Sequence, residues 1–299
     1  MPRDAEIVFG HRAYGCILAP VLTALLLLPG VACAGNRQPA TASPKEGLVT
    51  VHIPASRDTA VSTTVPVDVY SPPGGKPVGD VLVLPGWNFP RGDWHRKTTI
   101  LFLAKQRGLR MIFPDMLKSL YESRYYPETR MKWGPVPGGE WIRTVFIPEM
   151  RKYGMLAEGG NNYLLGLSTG ARGVALISLE NPGLFRAGAA LSGDFDQSGM
   201  RGDRLMAAVY GPFDRFSERW ATVDNPLARV SEWKMPLYLG HGRKDTVVPY
   251  AQTHSLYTSL RAAHPSLPVA LSAPADAGHD FAYWQSELEP AFDFMLSPR

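Results

Sequence analysis

Residues 161–179 read NNYLLGLSTGARGVALISL, and this stretch constrains the fold more than any other. The apolar run Tyr163 to Leu165 predicts a short strand, Gly166 to Gly170 a tight turn, and Ala171 to Leu179 an amphipathic helix. Ser168 sits in the turn with a glycine two residues away on each side, in the pattern G-x-S-x-G. A serine at a strand-to-helix junction is held in a strained backbone conformation. A side chain two residues before or after it would crowd the turn, so glycine is wanted at both places. The turn lifts the hydroxyl clear of the sheet and aims a helix N-terminus at it, where amide N–H groups favour negative charge.

The rest of the chain repeats the alternation. Leu48 to Ile53 and Val65 to Tyr70 read as strands, with a turn over SPPGGKPVG (71–79), and suggest an antiparallel pair opening the sheet. Val81 to Leu84 (VLVL) is continuously apolar, as expected of a strand buried on both faces. Thr98 to Arg107 predicts a helix closed by Gly108, and Arg110 to Phe113 a strand. Glu140 to Tyr153 predicts a helix interrupted by Pro148. After the elbow come strands at Ala187 to Leu191, Leu237 to Leu239 and Val269 to Ser272. Helices are expected at Gln252 to Ala263 and Trp284 to Leu296. Strands alternating with helices over about 200 residues imply a mostly parallel sheet with helices on both faces, and ligands in such sheets bind beyond the C-terminal strand ends.

The N-terminus is of another kind. Tyr14 to Leu28 is an apolar run preceded by Arg12 and followed by Pro29-Gly30, and Ala32-Cys33-Ala34 supplies the small residues a signal peptidase reads. This predicts a secretory signal over residues 1–34, and the run falls short of the roughly 20 residues a membrane-spanning helix needs. The alternative is lipoprotein processing, with the chain anchored to a membrane through Cys33. Against it, Gly30-Val31-Ala32 lacks the large apolar residue that usually opens that motif. Residues 35–47, rich in Pro, Ala, Thr and Ser, read as a flexible linker, leaving residues 48–299 as one folded domain. Both cysteines, Cys16 and Cys33, fall in the leader. Cleavage after Ala34 would leave no disulfide, no cysteine nucleophile and no thiolate metal site. The chain of 299 residues is 45% hydrophobic and 19% charged with a net charge of +4. That is an ordinary globular balance, and without a Lys/Arg run it gives no argument for nucleic acid.

A serine hydroxyl at neutral pH needs a base, and the base needs an orienting acid. In a strand–helix elbow of this kind the order along the chain is Ser, Asp or Glu, then His. Asp245 lies in the loop beyond the strand ending at Gly240, and His279 follows the last strand beside Gly278 in the segment ADAGHDFAYW (275–284). Asp276 and Asp280 compete for the acid role but sit beside the base. His264 lies at a helix end, His241 comes too early, His254 sits in a helix, and His52 and His95 precede the elbow. A tetrahedral intermediate needs an oxyanion hole. The expected donors are the backbone N–H of Thr169 and, from the loop after Val81 to Leu84, that of Trp87, where Gly86 lets the backbone approach closely. No H-x-x-x-H or H-E-x-x-H pattern and no dinucleotide fingerprint is present, and this chemistry requires neither metal nor cofactor.

With these residues in place the chain resembles the α/β-hydrolase superfamily, specifically serine esterases of the esterase D type. That group includes S-formylglutathione hydrolases, feruloyl and acetyl-xylan esterases, and mycolyltransferases. The resemblance spans about residues 65–296. It is carried by the elbow, by EWIRTVFIPEMRKY (140–153) against a helix that ends in an E-x-x-P style, though here the order is Ile147-Pro148-Glu149, by Asn181-Pro182-Gly183-Leu184-Phe185 with Ser192-Gly193, by Asp224-Asn225-Pro226, and by GHDFAYW (278–284) against the histidine segment G-x-H-x-[WF]-x-Y-W. Two departures stand out. The elbow continues Thr169-Gly170-Ala171 where many relatives have Met-Gly-Gly, which leaves the backbone donor intact and changes the side chain beside the acyl pocket. Pro85 stands where many hydrolases have His. The resemblance implies an α/β-hydrolase fold with a small cap formed by insertions, and an esterase working through an acyl-enzyme on small-molecule or polysaccharide esters; the leader adds the expectation that it is exported. The alternatives are an acyltransferase on the same triad, or an idle binding module. Two insertions, 117–139 and 195–233, interleave aromatic residues with arginine. Trp133, Tyr126 and Trp220 are the candidate substrate contacts there.

Overall fold

The computed structural model describes residues 47–58, 60, 62–127 and 138–297. The leader, the linker up to residue 46 and Trp133 lie outside the described residues. Gly47, assigned to the linker from sequence, instead opens the first strand.

Eight strands form one sheet: β1 (Gly47–Pro54), β2 (Thr64–Ser71), β3 (Gly79–Leu84), β4 (Leu109–Pro114), β5 (Asn162–Leu167), β6 (Ala187–Leu191), β7 (Leu237–Gly240) and β8 (Val269–Ser272). Their order is β1-β2-β4-β3-β5-β6-β7-β8. The first two pairings, β1 with β2 and β2 with β4, are antiparallel and all others parallel. This is the α/β-hydrolase fold. The chain winds from β3 outward to β4 and then returns to place β5 on the other side of β3. That reversal makes a crevice above the C-terminal ends of β3 and β5, where open α/β sheets bind ligands.

The VLVL run in β3 explains the two layers. Successive side chains point to opposite faces, so Leu82 and Leu84 enter one core and Val81 and Val83 the other. The first core is closed by α5 (Thr169–Glu180) and α8 (Tyr250–Ala263), the second by α2 (Ile100–Gln106) and α9 (Phe281–Leu296). A third, smaller cluster holds Leu120, Tyr126, Met206, Val209, Tyr210 and Trp220. It is the core of a cap built from the 117–127 segment with α6 (Arg204–Tyr210) and α7 (Phe213–Ala221).

Two local departures from the expected elements have physical causes. The helix expected over 98–107 begins at Ile100, because Thr98 is extended (φ −138°) and ends a short preceding helix, α1 (Asp93–Lys97), by donating its hydroxyl to the Trp94 carbonyl. Pro148 does not break the helix around it. A helical turn α3 (Gly138–Trp141) widens into a π turn over Ile142–Phe146 before α4 (Ile147–Lys152) resumes. Proline cannot donate to the carbonyl four residues back. That carbonyl, of Thr144, accepts instead from Arg57 Nε at 2.8 Å.

Candidate active site

Ser168 is the single residue between β5 and α5, at φ 53°, ψ −126°. A left-handed serine turns the chain sharply enough to bring a strand and a helix into contact, and it survives only where the surroundings over-determine it. Two glycines do so here. A Cβ on Gly166 would collide with the carbonyl of Gly170, and one on Gly170 would run into the Leu84 and Pro85 carbonyl oxygens. The first glycine closes the turn on itself and the second seats α5 on the loop after β3. The elbow is tied to the neighbouring strand by Ser168 N–H donating to Leu191 O at 2.8 Å.

The structure brings the three expected side chains together. His279 Nε2 lies 3.1 Å from Ser168 Oγ, and its Nδ1 lies 2.6 Å from Asp245 Oδ2. They come from three separate loops, after β5, β7 and β8, so the parallel sheet alone sets their mutual placement. The imidazole is 8% exposed and the Asp245 side chain fully buried, and Trp284 packs edge-on against the imidazole at 5.1 Å. Burial opposes ionisation of Asp245. It is outweighed by hydrogen bonding from His241 and His279 and by the Val248 N–H, which hold the carboxyl well below its usual range. Asp245 Oδ1 accepts from the backbone N–H groups of Val247 and Val248, both at 2.8 Å. The group is therefore a fixed anion throughout the neutral pH range.

The competing residues are engaged elsewhere. Asp276 pairs with Lys244 at 2.6 Å, and Asp280 caps α9 by accepting from Tyr283 N–H at 2.9 Å. His264 faces the Val230 carbonyl at 2.7 Å, and His95 lies beside Asp68 at 3.5 Å. Thr169 is the first residue of α5, where a backbone N–H has no intrahelical acceptor. The loop carrying Trp87 passes directly over the serine, since a Cβ on Gly86 would lie 3.2 Å from Ser168 Cβ. The Trp87 ring packs against the cap cluster.

Tyr126 and Trp220 are placed inside the cap rather than against an open cleft. Tyr126 is buried and donates its hydroxyl to Asp224 at 3.2 Å. Trp220 is 0% exposed, with its indole N–H on the Gly211 carbonyl at 3.0 Å. The arginines interleaved with them serve the same core, with Arg219 over Tyr126 at 5.2 Å and Arg201 over Phe213 at 4.4 Å. The aromatic–arginine pattern here marks cap packing, so the substrate contacts expected at these two residues are corrected to structural ones.

One residue set aside on chain order belongs to the site. His241 is fully buried, 3.3 Å from Asp245 Oδ2 through Nε2, with Nδ1 2.6 Å from Thr253 Oγ1 and Nε2 2.9 Å from Val248 O. It braces the loop that carries the carboxylate. The available signal was its place, directly after β7 and four residues before Asp245. Among the described residues no group of three or more His, Cys, Asp or Glu side chains gathers as a metal site, and no helix is long and apolar enough to cross a membrane.

Comparison with known proteins bears on the family and the fold. A model of the prolyl oligopeptidase family (Peptidase S9) matches residues 145–297, a span that contains Ser168, Asp245 and His279. No curated protein matches the sequence. Several solved structures share the fold. The fluorophosphonate-binding serine hydrolase FphF of Staphylococcus aureus, substrate bound, aligns with a TM-score of 0.66 at 18% identity, covering 84% of this chain and 99% of that one. An S-formylglutathione hydrolase from Agrobacterium tumefaciens aligns with a TM-score of 0.64 at 14% identity, covering 83% and 94%. A ferulic acid esterase aligns with a TM-score of 0.61 at 17% identity, covering 83% and 97%.

Proposed function

The chain belongs to the prolyl oligopeptidase family, and from that premise we propose that it is an exported serine hydrolase of carboxylic esters. The observation that carries the reading is the unbroken series from Ser168 Oγ through His279 to Asp245, at 3.1 and 2.6 Å, on a left-handed elbow. Ser168 attacks the acyl carbonyl while His279 Nε2 takes its proton. Asp245 holds the imidazole with Nδ1–H toward itself and stabilises the imidazolium that forms. The backbone N–H groups of Thr169 and Trp87 receive the oxyanion at the start of α5, where the helix dipole adds to their effect. His279 then protonates the leaving alkoxide, and water enters by the reverse route to release the acid. No metal or cofactor enters this scheme.

The family name points to peptide bonds. The esterase reading is supported by the activities of similar structures, an S-formylglutathione hydrolase and a ferulic acid esterase. The substrate class is a small-molecule or polysaccharide ester. Export rests on the leader at residues 1–34, with lipid anchoring at Cys33 as the variant of that reading.

A matched pair of substrates tests the bond class. We expect p-nitrophenyl acetate to exceed p-nitroacetanilide in kcat/KM by roughly a thousand-fold, about 4 kcal/mol of barrier. Comparable rates on the two, or faster cleavage of a peptide, would replace the ester assignment with a peptidase one. Methanol in the same assay separates hydrolysis from acyl transfer, since a transferase forms methyl acetate in preference to acetate.

A further inference from the structure

The oxyanion loop is gripped from a part of the chain that the reaction scheme does not use. The Gly86–Trp87 peptide carries the proposed donor N–H. On its N-terminal side the Pro85 carbonyl accepts from the Tyr121 hydroxyl at 2.7 Å. On its C-terminal side Asn88 N–H donates to the Leu117 carbonyl at 2.8 Å. Both contacts come from residues 117–121, so one short segment holds the donor peptide from both ends.

The surroundings of Tyr121 leave it little freedom. It is fully buried, and its ring lies flat against the helix that follows the serine, where a Cβ on Gly173 would meet it at 2.7 Å. Its own N–H is fixed on Ser119 Oγ at 2.9 Å. The Pro85 oxygen that it grips also faces Gly170 of the same helix. Tyr121 thus touches the nucleophile's helix with its ring and the oxyanion loop with its hydroxyl, referencing one to the other. Burial, with the neighbouring Glu122 charge adding to it, pushes the phenol well above its usual range and keeps it a donor.

The backbone carries a second, independent sign. Leu117 (φ 46°), Tyr121 (φ 57°) and Asn88 (φ 57°) all adopt the left-handed region. Asparagine tolerates it, but for leucine and tyrosine it is an uncommon and strained conformation. Such strain persists where function fixes a geometry that relaxed packing would not choose. Leu117 and Tyr121 make the bracket contacts to the loop, and Asn88 donates its N–H to the first of them.

We infer that residues 117–121 form a bracket that sets the oxyanion donor of Trp87, with Tyr121 as its positioning residue. The inference rests on the hydrolase reading above. A donor is effective only where its N–H points at the position the oxyanion will occupy, and a small misplacement costs rate without costing substrate binding. Losing the hydroxyl while keeping the ring therefore separates alignment from packing.

The experiment compares wild type with Tyr121→Phe in the full chain, using p-nitrophenyl acetate for turnover and a methyl trifluoromethyl ketone as a probe that forms a tetrahedral adduct on the serine. Exhaustive labelling with a fluorophosphonate counts competent sites in each preparation, so that a poorly folded fraction is removed from kcat. The bracket predicts that kcat per competent site falls roughly 10- to 100-fold with KM changed less than about twofold, and that the ketone Ki rises by the same factor as kcat falls. Acylation and deacylation both pass through the oxyanion, so kcat falls whichever is slow. A kcat per site within about twofold of wild type, or a lower kcat with an unchanged ketone Ki, overturns the positioning role. Wild-type protein that neither labels nor turns over the ester overturns the hydrolase reading, and the bracket with it.

Discussion

Replacing Ser168 with alanine is expected to lower turnover of p-nitrophenyl acetate by at least about 10⁴-fold, toward the residual rate that an oxyanion hole and binding alone support. The hydroxyl has no stand-in. Thr169 is the nearest alternative alcohol, and it is one residue beyond the turn, at the start of α5 with its side chain buried. The fold should survive the change. Alanine keeps the Cβ that the elbow already accommodates, and the Ser168 N–H to Leu191 O bond at 2.8 Å is backbone only. The measurement is steady-state turnover alongside a thermal melt. A melt close to wild type with activity lost identifies a chemical defect. Activity retained within about tenfold removes Ser168 as nucleophile.

The second large effect is expected at Asp245→Asn, with kcat lowered by about 10⁴-fold. The reason is specific to this site. Oδ1 of Asp245 is held by two backbone N–H groups, of Val247 and Val248. An asparagine must keep its carbonyl oxygen there, which turns its NH₂ toward His279 Nδ1. The imidazole can then only accept at Nδ1 and must carry its proton at Nε2, facing Ser168. In that tautomer it cannot take the serine proton. The same NH₂ would also face His241 Nε2, 3.3 Å away in the native site. Asp245→Ala removes this forced tautomer and is expected to be no more damaging than the asparagine. The pair of variants, measured for kcat at neutral pH, checks the tautomer argument. An asparagine variant with near wild-type turnover would show that the carboxylate does not orient the base.

Much of this architecture was legible because it is written in local chemistry. β6 and β8 begin and end where their short runs of small and apolar residues do, and the G-x-S-x-G turn announces its own geometry. The positions of Asp245 and His279 followed from fold order and loop position, which a parallel sheet enforces. Chain order failed at His241, whose role depends on the loop after β7 folding back to bring its ring within 3.3 Å of Asp245. The aromatic–arginine pattern misled at Tyr126 and Trp220, which lie in the cap core. An aromatic residue beside an arginine has the same composition whether it lines a cleft or fills a cap, and only the fold decides which face it shows. The π turn before Pro148 was hidden for a related reason. The carbonyl that proline leaves unpaired is satisfied by Arg57, 87 residues away from Thr144 in sequence. Tyr121 shares that property, since its partner Pro85 is 36 residues distant.

The measurement that bears most directly on the central claim is fluorophosphonate labelling of the folded chain, followed by peptide mapping. An activated serine, hydrogen-bonded to His279 at 3.1 Å, attacks phosphorus as it would a carbonyl, whereas an ordinary serine does not. The account predicts one label per chain, on the peptide containing Ser168, absent from Ser168→Ala and nearly absent from Asp245→Asn. A well-folded protein that takes up no label, or takes it at another residue, would contradict it.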